Sequence, residues 1–171
     1  ETSKAVRQSM NLSGPCYIRL GKKGEPNLHD PNVNYQIGKG IIMREGKDLA
    51  LITCGNMLET CNEVAKELEK QNLSTRVISM HTVKPIDKEL IYDTLKNNKY
   101  IFSIEEHSVI GGLGSAIAEV LSEAKIKKDF YFKRIGIMDQ YSHFTGSQNY
   151  LRSKLGLDKE GIIRKIKEIK R

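Results

Sequence analysis

The stretch SIEEHSVIGGLGSAI, residues 103–117, holds side chains suited to acid–base chemistry and a turn suited to phosphate binding. Glu105 and Glu106 are carboxylates, His107 is a candidate base, and a glycine-rich turn leads into a helix-like pattern. Successive residues on a strand point to opposite faces, so the two glutamates are poorly placed to act on one substrate as an acid/base pair. We therefore interpret the three residues as a polar network at the end of a strand.

The glycines of this stretch fit no nucleotide-binding fingerprint. From Gly112 the residues read G-L-G-S-A-I, which lacks the third glycine of the dinucleotide motif, and no Walker-type G-K-[ST] follows. Their predicted role is a tight turn that lets a helix approach a sheet closely. The start of that helix could still attract an anion through its free N–H groups.

The segment CGNM is a second candidate site, because it joins a buried strand to a helix. Open parallel sheets bind ligands beyond the carboxyl ends of their strands. Gly55 and Asn56 are therefore a candidate anion site, although a helix-capping role would also explain Asn56.

The segment IRLGKKGEP is a third candidate. Arg19 and Lys22 stand at and just beyond the end of a predicted strand, where two cations could clamp a phosphate by charge and hydrogen bonds. The isolated His81 and His143 are interpreted as hydrogen-bonded residues of capped loops, since neither comes with a recognisable nucleophile and orienting group.

Strand and helix patterns alternate along most of the chain. A short helix opens it, and a polar stretch containing Pro26 and Pro31 marks a linker. Predicted strands cover residues 16–21, 41–46, 48–54, 74–80, 99–107 and 130–137, with helices between the later ones and two short helices at the end. The segment 56–71 places one apolar stripe on a helix, and Asp87 is a predicted N-cap of the next helix. This alternation predicts an α/β fold with three α/β/α layers around a mostly parallel five-stranded sheet.

Composition indicates a globular protein with one sizeable core. Charged residues make up 29% of the 171 residues and hydrophobic residues 39%, and no apolar run approaches the ~20 residues of a membrane span. The first residue is Glu1 rather than Met, so we expect a piece of a longer protein. The cysteines Cys16, Cys54 and Cys61 form no CxxC pair, which predicts buried free thiols, no metal site and a cytoplasmic location.

The net charge of +7 is concentrated at the end of the chain. Residues 159–171 hold six Lys or Arg and two acidic residues, and they place Ile162, Ile163, Ile166 and Ile169 on one stripe. We interpret this segment as a solvated helix docked by its isoleucines. We expect neither nucleic-acid nor membrane binding, because the sequence has no recognised nucleic-acid motif and no interleaved aromatic residues.

Several segments, taken in order, resemble the C-terminal part of transketolases, especially the split bacterial and archaeal kind. They are GPCYIRLGK, YQIGKG with REGKDLALITCGNM, RVISMHTVKPID, SIEEHSVIGGLGSAIAEVL and KRIGIMDQYSHFTGS. The resemblance covers nearly the whole chain and keeps order and spacing. It implies that residues 1–26 are the tail of a pyrimidine-binding domain, 27–35 a linker and 36–171 the transketolase C-terminal domain.

The resemblance implies a function that the chain performs only as part of a larger assembly. Transketolases use thiamine diphosphate and a divalent metal ion, Mg or Ca, to move a two-carbon ketol unit between sugar phosphates of the pentose phosphate pathway. The complete enzyme is a homodimer, and its cofactor-binding motif and activating glutamate would lie upstream of Glu1. The implied partners are the N-terminal part or subunit and sugar phosphate substrates, and this chain alone is expected to be inactive, with no catalytic, cofactor or metal residue of its own.

The resemblance assigns one substrate contact to this chain. A basic residue of the family, usually arginine, contacts the sugar phosphate and aligns with Lys22, where lysine keeps the charge but loses the bidentate fork. Arg19 matches another common basic position.

Three alternatives remain open. The chain could be the C-terminal domain of a 1-deoxyxylulose-5-phosphate synthase, although IRLGK and EEH favour transketolase over that family's RYPRG and EEN. It could belong to the beta subunit of a 2-oxoacid dehydrogenase, which looks less similar across GGLG and MHTVKPID. It could also be an anion-binding regulatory or dimerisation module.

Overall fold

The structure, a computed structural model, describes residues 1–21, 25–125 and 128–169. The strands are β1 (Ile41–Arg44), β2 (Leu49–Thr53), β3 (Thr75–Ser79), β4 (Tyr100–Ser108) and β5 (Tyr131–Ile137). The helices are α1 (Thr2–Ser9), α2 (Leu58–Glu69), α3 (Lys88–Asn97), α4 (Leu113–Ser122), α5 (Gln148–Leu155) and α6 (Lys159–Ile169), with a 3₁₀ turn over Gly55–Met57.

The strands of the described residues form one five-stranded sheet in the order β1-β3-β2-β4-β5. Strand β2 lies parallel to β3 and β4, and β4 lies parallel to β5, while the edge strand β1 runs antiparallel to β3. Parallel neighbours need crossover connections, which α2, α3 and α4 supply. The predicted three-layer α/β/α fold with a mostly parallel five-stranded sheet is confirmed.

Two apolar clusters cover the two faces of the sheet. Leu49 and Leu51 of β2 face α2 and α6, and Ala50 and Ile52 face α3 and α4. Strands β2 and β3 are buried along their whole length. A strand covered on both faces reads as a continuous apolar run, which is why residues 48–54 lack the alternation of a half-exposed strand.

The helices form where the sequence places their apolar stripes and caps. The five residues predicted to share one face of α2 are all buried, namely Leu58, Cys61, Val64, Ala65 and Leu68. Asp87 caps α3 as predicted, accepting a hydrogen bond from the Leu90 N–H at 3.1 Å. These local signals therefore survive in the folded chain.

The terminal helix α6 docks as its isoleucine stripe predicts. Ile162 and Ile166 are buried, and Ile163 and Ile169 pack partly buried against the same cluster as α2. Of its basic residues, Arg164 and Lys167 are exposed, while Lys165 is partly buried and donates to the carbonyls of Leu155 and Gly156. Across the described ranges, no helix combines the length and the hydropathy needed to cross a membrane.

Two predictions for the start of the chain are wrong. Residues 16–21 do not form a strand, and Cys16 is exposed rather than buried. A strand needs a neighbour to accept its hydrogen bonds, and the described residues provide none beside this segment. Tyr17 and Leu20 are consequently exposed as well.

The stretch between residue 25 and β1 folds back along α1. The Lys4 ammonium donates hydrogen bonds to the carbonyls of Pro31 and Val33, at 3.0 and 2.6 Å. The Gln8 side chain donates to the Tyr35 carbonyl at 2.5 Å and accepts from the Ile37 N–H at 2.9 Å. The N-terminal helix is thus attached to the linker, and the division of the chain at residues 26 and 36 stays a prediction.

Candidate functional site

The carboxyl ends of β2 and β4 lie side by side where the connections of the sheet diverge. The chain leaves β2 toward the face covered by α2, and it leaves β4 toward the face covered by α4. Open parallel sheets bind ligands in the crevice that forms at such a point. The Thr53 hydroxyl donates to the Ile104 carbonyl at 2.7 Å and joins the two strand ends. This edge of the sheet is therefore the candidate functional site.

The Glu106 carboxylate lies in this crevice and accepts hydrogen bonds from three side chains. It accepts hydrogen bonds from Asn56 Nδ2 at 2.5 Å, Arg152 Nη2 at 2.7 Å and Gln148 Nε2 at 2.9 Å. The side chains of Arg152 and Glu106 are 14% and 24% exposed, so water screens the pair weakly. The network ties β4 to the start of α2 and to α5.

Glu105 lies on the opposite face and is 2% exposed. Its two carboxylate oxygens accept hydrogen bonds from the N–H groups of Leu113 and Gly114, at 2.7 and 2.8 Å. The Glu105 carboxylate thus supplies the negative charge at the N-terminus of α4. The exposed His107 donates from Nδ1 to the Ser108 carbonyl at 2.9 Å. The predicted polar network, with its two glutamates pointing apart, is confirmed.

Asn56 does not cap α2, so that interpretation is wrong. The N-cap of α2 is Met57, which makes no side-chain capping hydrogen bond, and the Asn56 amide turns to Glu106 instead. Gly55 is exposed with φ +57°, a left-handed conformation that glycine adopts without strain. Anion binding at Gly55 and Asn56 stays a prediction, and the nearby Glu106 carboxylate opposes a second negative charge there.

The thiol of Cys54 follows β2 directly and is poorly reactive. Burial raises its pKa to about 11, the charges of Glu105 and Glu1 act in the same direction, and the Arg19 guanidinium opposes them. Burial likewise raises the pKa of Cys61 to about 12. Neither Cys54 nor Cys61 therefore supplies a thiolate nucleophile near neutral pH.

Arg19 is exposed, and its guanidinium charge acts on the Cys54 thiol, which directly follows β2. The other predicted phosphate-binding residue, Lys22, lies outside the described residues. A phosphate contact by either side chain stays a prediction.

His81 and His143 lie in loops. The His81 ring stacks on Tyr35 with ring centroids 4.1 Å apart, and its Nδ1 lies 3.0 Å from the Thr82 hydroxyl. Burial lowers the pKa of His81. His143 is exposed in the loop before α5, whose N-terminus is capped by Ser147 accepting from the Tyr150 N–H at 3.3 Å. The interpretation of both histidines as loop residues is confirmed.

Metal ligands do not gather at this edge. Within residues 1–21, 25–125 and 128–169, no group of three or more His, Cys, Asp or Glu side chains is arranged to hold a metal ion. The described residues thus form a polar edge without the cluster that a divalent cation requires.

Comparison with known proteins assigns the fold to a family. The family model for "Transketolase, C-terminal domain" matches residues 38–162. The chain belongs to this family. The predicted resemblance to the C-terminal part of transketolases is confirmed.

The relatives of this transketolase C-terminal domain include more than one kind of enzyme. A putative transketolase C-terminal section of Methanocaldococcus jannaschii is 32% identical over 98% of this chain and 52% of its own length. A 1-deoxy-D-xylulose-5-phosphate synthase of Dechloromonas aromatica is 34% identical over 98% of this chain and 26% of its own. A solved structure described as "Split gene transketolase, inactive beta4 tetramer" is 35% identical, with a TM-score of 0.87 over 96% of this chain and 52% of that one. The chain thus spans about half the length of the transketolase relatives.

Sequence reasoning missed Gln148 and Arg152, the two α5 residues that bind Glu106. Their spacing was an available signal, because residues four apart on a helix share a face. The sequence did not indicate that they bind Glu106, because this residue lies 42 and 46 positions earlier in the chain.

Proposed function

We propose that the chain is the C-terminal portion of a thiamine-diphosphate-dependent transketolase. The complete enzyme transfers a two-carbon ketol unit between sugar phosphates of the pentose phosphate pathway, and it does so in the cytoplasm. The observation that carries the proposal is the 35% identity and TM-score of 0.87 shared with a split transketolase over 96% of the chain. In this proposal residues 1–26 complete a pyrimidine-binding domain, 27–35 are a linker, and 36–171 are the C-terminal domain.

Thiamine diphosphate and its divalent ion, Mg or Ca, would be held by other parts of the complete enzyme. The described residues offer no metal-holding cluster, and Glu106 and its donors already span the crevice of the sheet. The cofactor supplies the carbanion chemistry when bound. This portion contributes contacts between subunits and an edge that binds substrate phosphate, so we expect the 171-residue chain alone to be inactive.

The phosphate-binding edge consists of Lys22 and Arg19. Arg19 is exposed and its charge acts on Cys54, directly after β2, and two residues lie between it and Lys22 along the chain. Two cations at one edge attract a phosphate dianion, and the guanidinium adds directed hydrogen bonds. Free cysteines, one of them exposed, suit the reducing compartment in which sugar phosphates are interconverted.

The proposal is tested by reconstitution. The chain is mixed with the N-terminal partner and thiamine diphosphate, and ketol transfer from xylulose 5-phosphate to ribose 5-phosphate is followed. Activity should appear in the mixture and in neither component alone. A mixture that forms a stable complex yet transfers no ketol unit contradicts the proposal.

The phosphate contact has its own prediction. Lys22→Ala should raise KM about tenfold for phosphorylated substrates and leave KM for unphosphorylated analogues nearly unchanged, because the lost interaction is with the phosphate alone. Lys23→Ala is the matched control, since it removes the same charge from the neighbouring position. An equal effect on both substrate types would contradict the assigned role of Lys22.

A 1-deoxyxylulose-5-phosphate synthase is the second candidate. It is supported by 34% identity to the Dechloromonas aromatica enzyme, which matches the identity to transketolase relatives. The same proteins and thiamine diphosphate are therefore supplied with pyruvate and glyceraldehyde 3-phosphate, and the formation of 1-deoxyxylulose 5-phosphate and carbon dioxide is measured. That product without ketol transfer would favour the second candidate.

Association of copies of this chain is also part of the proposal. The structural neighbour at 35% identity is described as a tetramer of one kind of subunit. We propose that copies of the chain associate in the same general way, and that the complete enzyme contains two of them.

A further inference from the structure

Helix α1 is attached to the stretch before β1 by two side chains that bond to its backbone. The Gln8 amide donates to the Tyr35 carbonyl at 2.5 Å and accepts from the Ile37 N–H at 2.9 Å. The Lys4 ammonium donates to two carbonyls of the same stretch, at 3.0 and 2.6 Å. Residues four apart share one face of a helix, so Lys4 and Gln8 act side by side. We name the contacts of these two residues the α1 attachment.

The α1 attachment is in turn joined to the carboxyl end of β3. The Ser79 hydroxyl, in the last residue of β3, donates to the Glu1 carboxylate next to α1. The Tyr35 ring stacks on His81, two residues beyond β3, with ring centroids 4.1 Å apart. Tyr35 is 7% exposed, so the stacked ring is part of the core. The helix and the stretch before β1 are therefore held beside this strand.

The end of α1 leads directly into the segment that carries Arg19. The Asn11 N–H donates to the Gln8 carbonyl at 3.1 Å, so hydrogen-bonded turns continue beyond the helix. Residues 12–17 are exposed, so packing holds them weakly. The place of Arg19 consequently depends on the place of α1.

Two electrostatic interactions connect this segment to the carboxyl ends of β2 and β3. Burial raises the pKa of the Tyr35 hydroxyl, and Glu1 and the Cys16 thiol act in the same direction. Burial also raises the pKa of Cys54, directly after β2, and the Arg19 guanidinium opposes that rise. Arg19 is itself exposed, so its guanidinium is accessible to a ligand at this edge.

An exposed arginine binds a phosphate more tightly when its segment is ordered beforehand. Ordering a segment at the moment of binding costs conformational entropy and weakens the affinity. The α1 attachment supplies that order in advance, because it ties α1 to a stretch that is fixed on the sheet. Its loss would leave the guanidinium intact but lower the effective concentration of Arg19 at the edge.

We propose that Gln8 and Lys4 are positioning residues, which hold residues 10–21 at the carboxyl edge of the sheet and so place Arg19 to bind the substrate phosphate. The inference rests on the proposed function, in which Arg19 contacts that phosphate. The polar atoms of both residues bind the protein's own backbone, so they act through Arg19.

The test replaces Gln8 by methionine, which keeps the length of the side chain and removes both hydrogen bonds. Hydrogen–deuterium exchange of residues 10–21 is measured on the 171-residue protein, and circular dichroism checks folding. Ketol transfer is measured in the mixture with the N-terminal partner and thiamine diphosphate. Gln8→Met should speed the exchange and raise KM for phosphorylated substrates about fivefold, while kcat and KM for unphosphorylated analogues change less than about twofold.

Three further variants sharpen the test. Gln71→Met makes the same change at an exposed position after α2 and should alter neither measurement. Lys4→Met should act like Gln8→Met, and Lys4→Arg should not, because arginine still donates to the two carbonyls. The two Lys4 variants also decide the question if Gln8→Met does not fold.

A double-mutant cycle shows whether the effect passes through Arg19. Arg19→Ala should raise KM for phosphorylated substrates at least as much as Gln8→Met does. Adding Gln8→Met to Arg19→Ala should then raise it no further, because the positioned group is already absent. Two effects that multiply in the double variant would overturn the proposal.

Other outcomes also overturn it. Unchanged exchange in Gln8→Met and Lys4→Met would show that the α1 attachment does not hold residues 10–21. Faster exchange with an unchanged KM, or an equal change of KM for both substrate types, would show that its role is structural only. A wild-type mixture without ketol transfer overturns the proposed function and this inference with it, whereas the preceding outcomes arise in an active mixture and leave the proposed function intact.

Discussion

At the scale of single residues, neighbouring glutamates do different work because a strand points them to opposite faces. Glu105 accepts hydrogen bonds from the backbone at the start of α4, and Glu106 accepts them from side chains of three other positions. Both carboxylates accept hydrogen bonds from groups of the same protein. A pair of residues that looks catalytic in the sequence is thus structural in the fold.

Glu106→Gln should destabilise the protein by about 2 kcal/mol, because it removes the negative charge that compensates the largely buried Arg152. The free energy of unfolding is measured by urea denaturation. Glu119→Gln is the matched control, since this glutamate is exposed on α4 and its loss should cost less than about 0.5 kcal/mol. Equal stability of the Glu106 variant and the wild type would show that the ion pair contributes nothing.

At the scale of elements, the glycine-rich turn allows β4 and α4 to approach each other closely. The backbone at Gly112 precedes α4, with φ −97° and ψ −158°, a conformation open to any residue. A Cβ there would lie 2.9 Å from Cδ of Glu105 and 3.0 Å from Nδ1 of His107. The requirement for glycine is therefore steric, and it comes from the carboxylate that caps the helix.

Gly112→Ala should cost about 1–3 kcal/mol, because the added methyl group displaces the Glu105 carboxylate from the two N–H groups it accepts. Thermal unfolding followed by circular dichroism measures the loss as a lower Tm. Gly14→Ala is the control, because a Cβ at that position meets nothing within 4 Å. Similar Tm values for the two variants would contradict the steric explanation.

At the scale of the whole molecule, His81 and Tyr35 join the linker to the sheet. Their rings stack at the carboxyl end of β3. Glu1 and His29 lie close by, and the His29 Nε2 is 2.7 Å from a carboxylate oxygen of Glu1. Burial lowers the pKa of His81 from its usual 6.5, His29 and the amino terminus act in the same direction, and Glu1 opposes them. The neutral imidazole is thus the form that suits the folded state.

Stability should fall with acidification because the unfolded chain binds the His81 proton more readily than the folded one. We expect the full contribution of this group above its unfolded pKa of 6.5, and a progressive loss as the pH falls below 6.5 toward the lowered folded value. Denaturation at a series of pH values measures the slope. His81→Gln should reduce that slope, and His143→Gln, at an exposed position, should leave it unchanged.

The amino-acid sequence by itself determined the elements from residue 41 onward, the fold class and the family. Apolar periodicity and caps are local, so the α2 stripe and the Asp87 cap are readable from neighbouring residues. The same holds for the polar role of Glu105 and Glu106, since strand geometry alone points them apart. The ordered segments that resemble transketolases added the family.

Only the tertiary structure decided what those side chains contact. Glu106 meets Arg152 and Gln148 because β4 and α5 pack together at one edge, and no local pattern encodes that meeting. The strand predicted at residues 16–21 is missing for the same reason, since a strand is stabilised by a neighbour distant in sequence. Long-range pairing also brings Glu106 to the Asn56 side chain at the carboxyl end of β2, a contact that the sequence did not indicate.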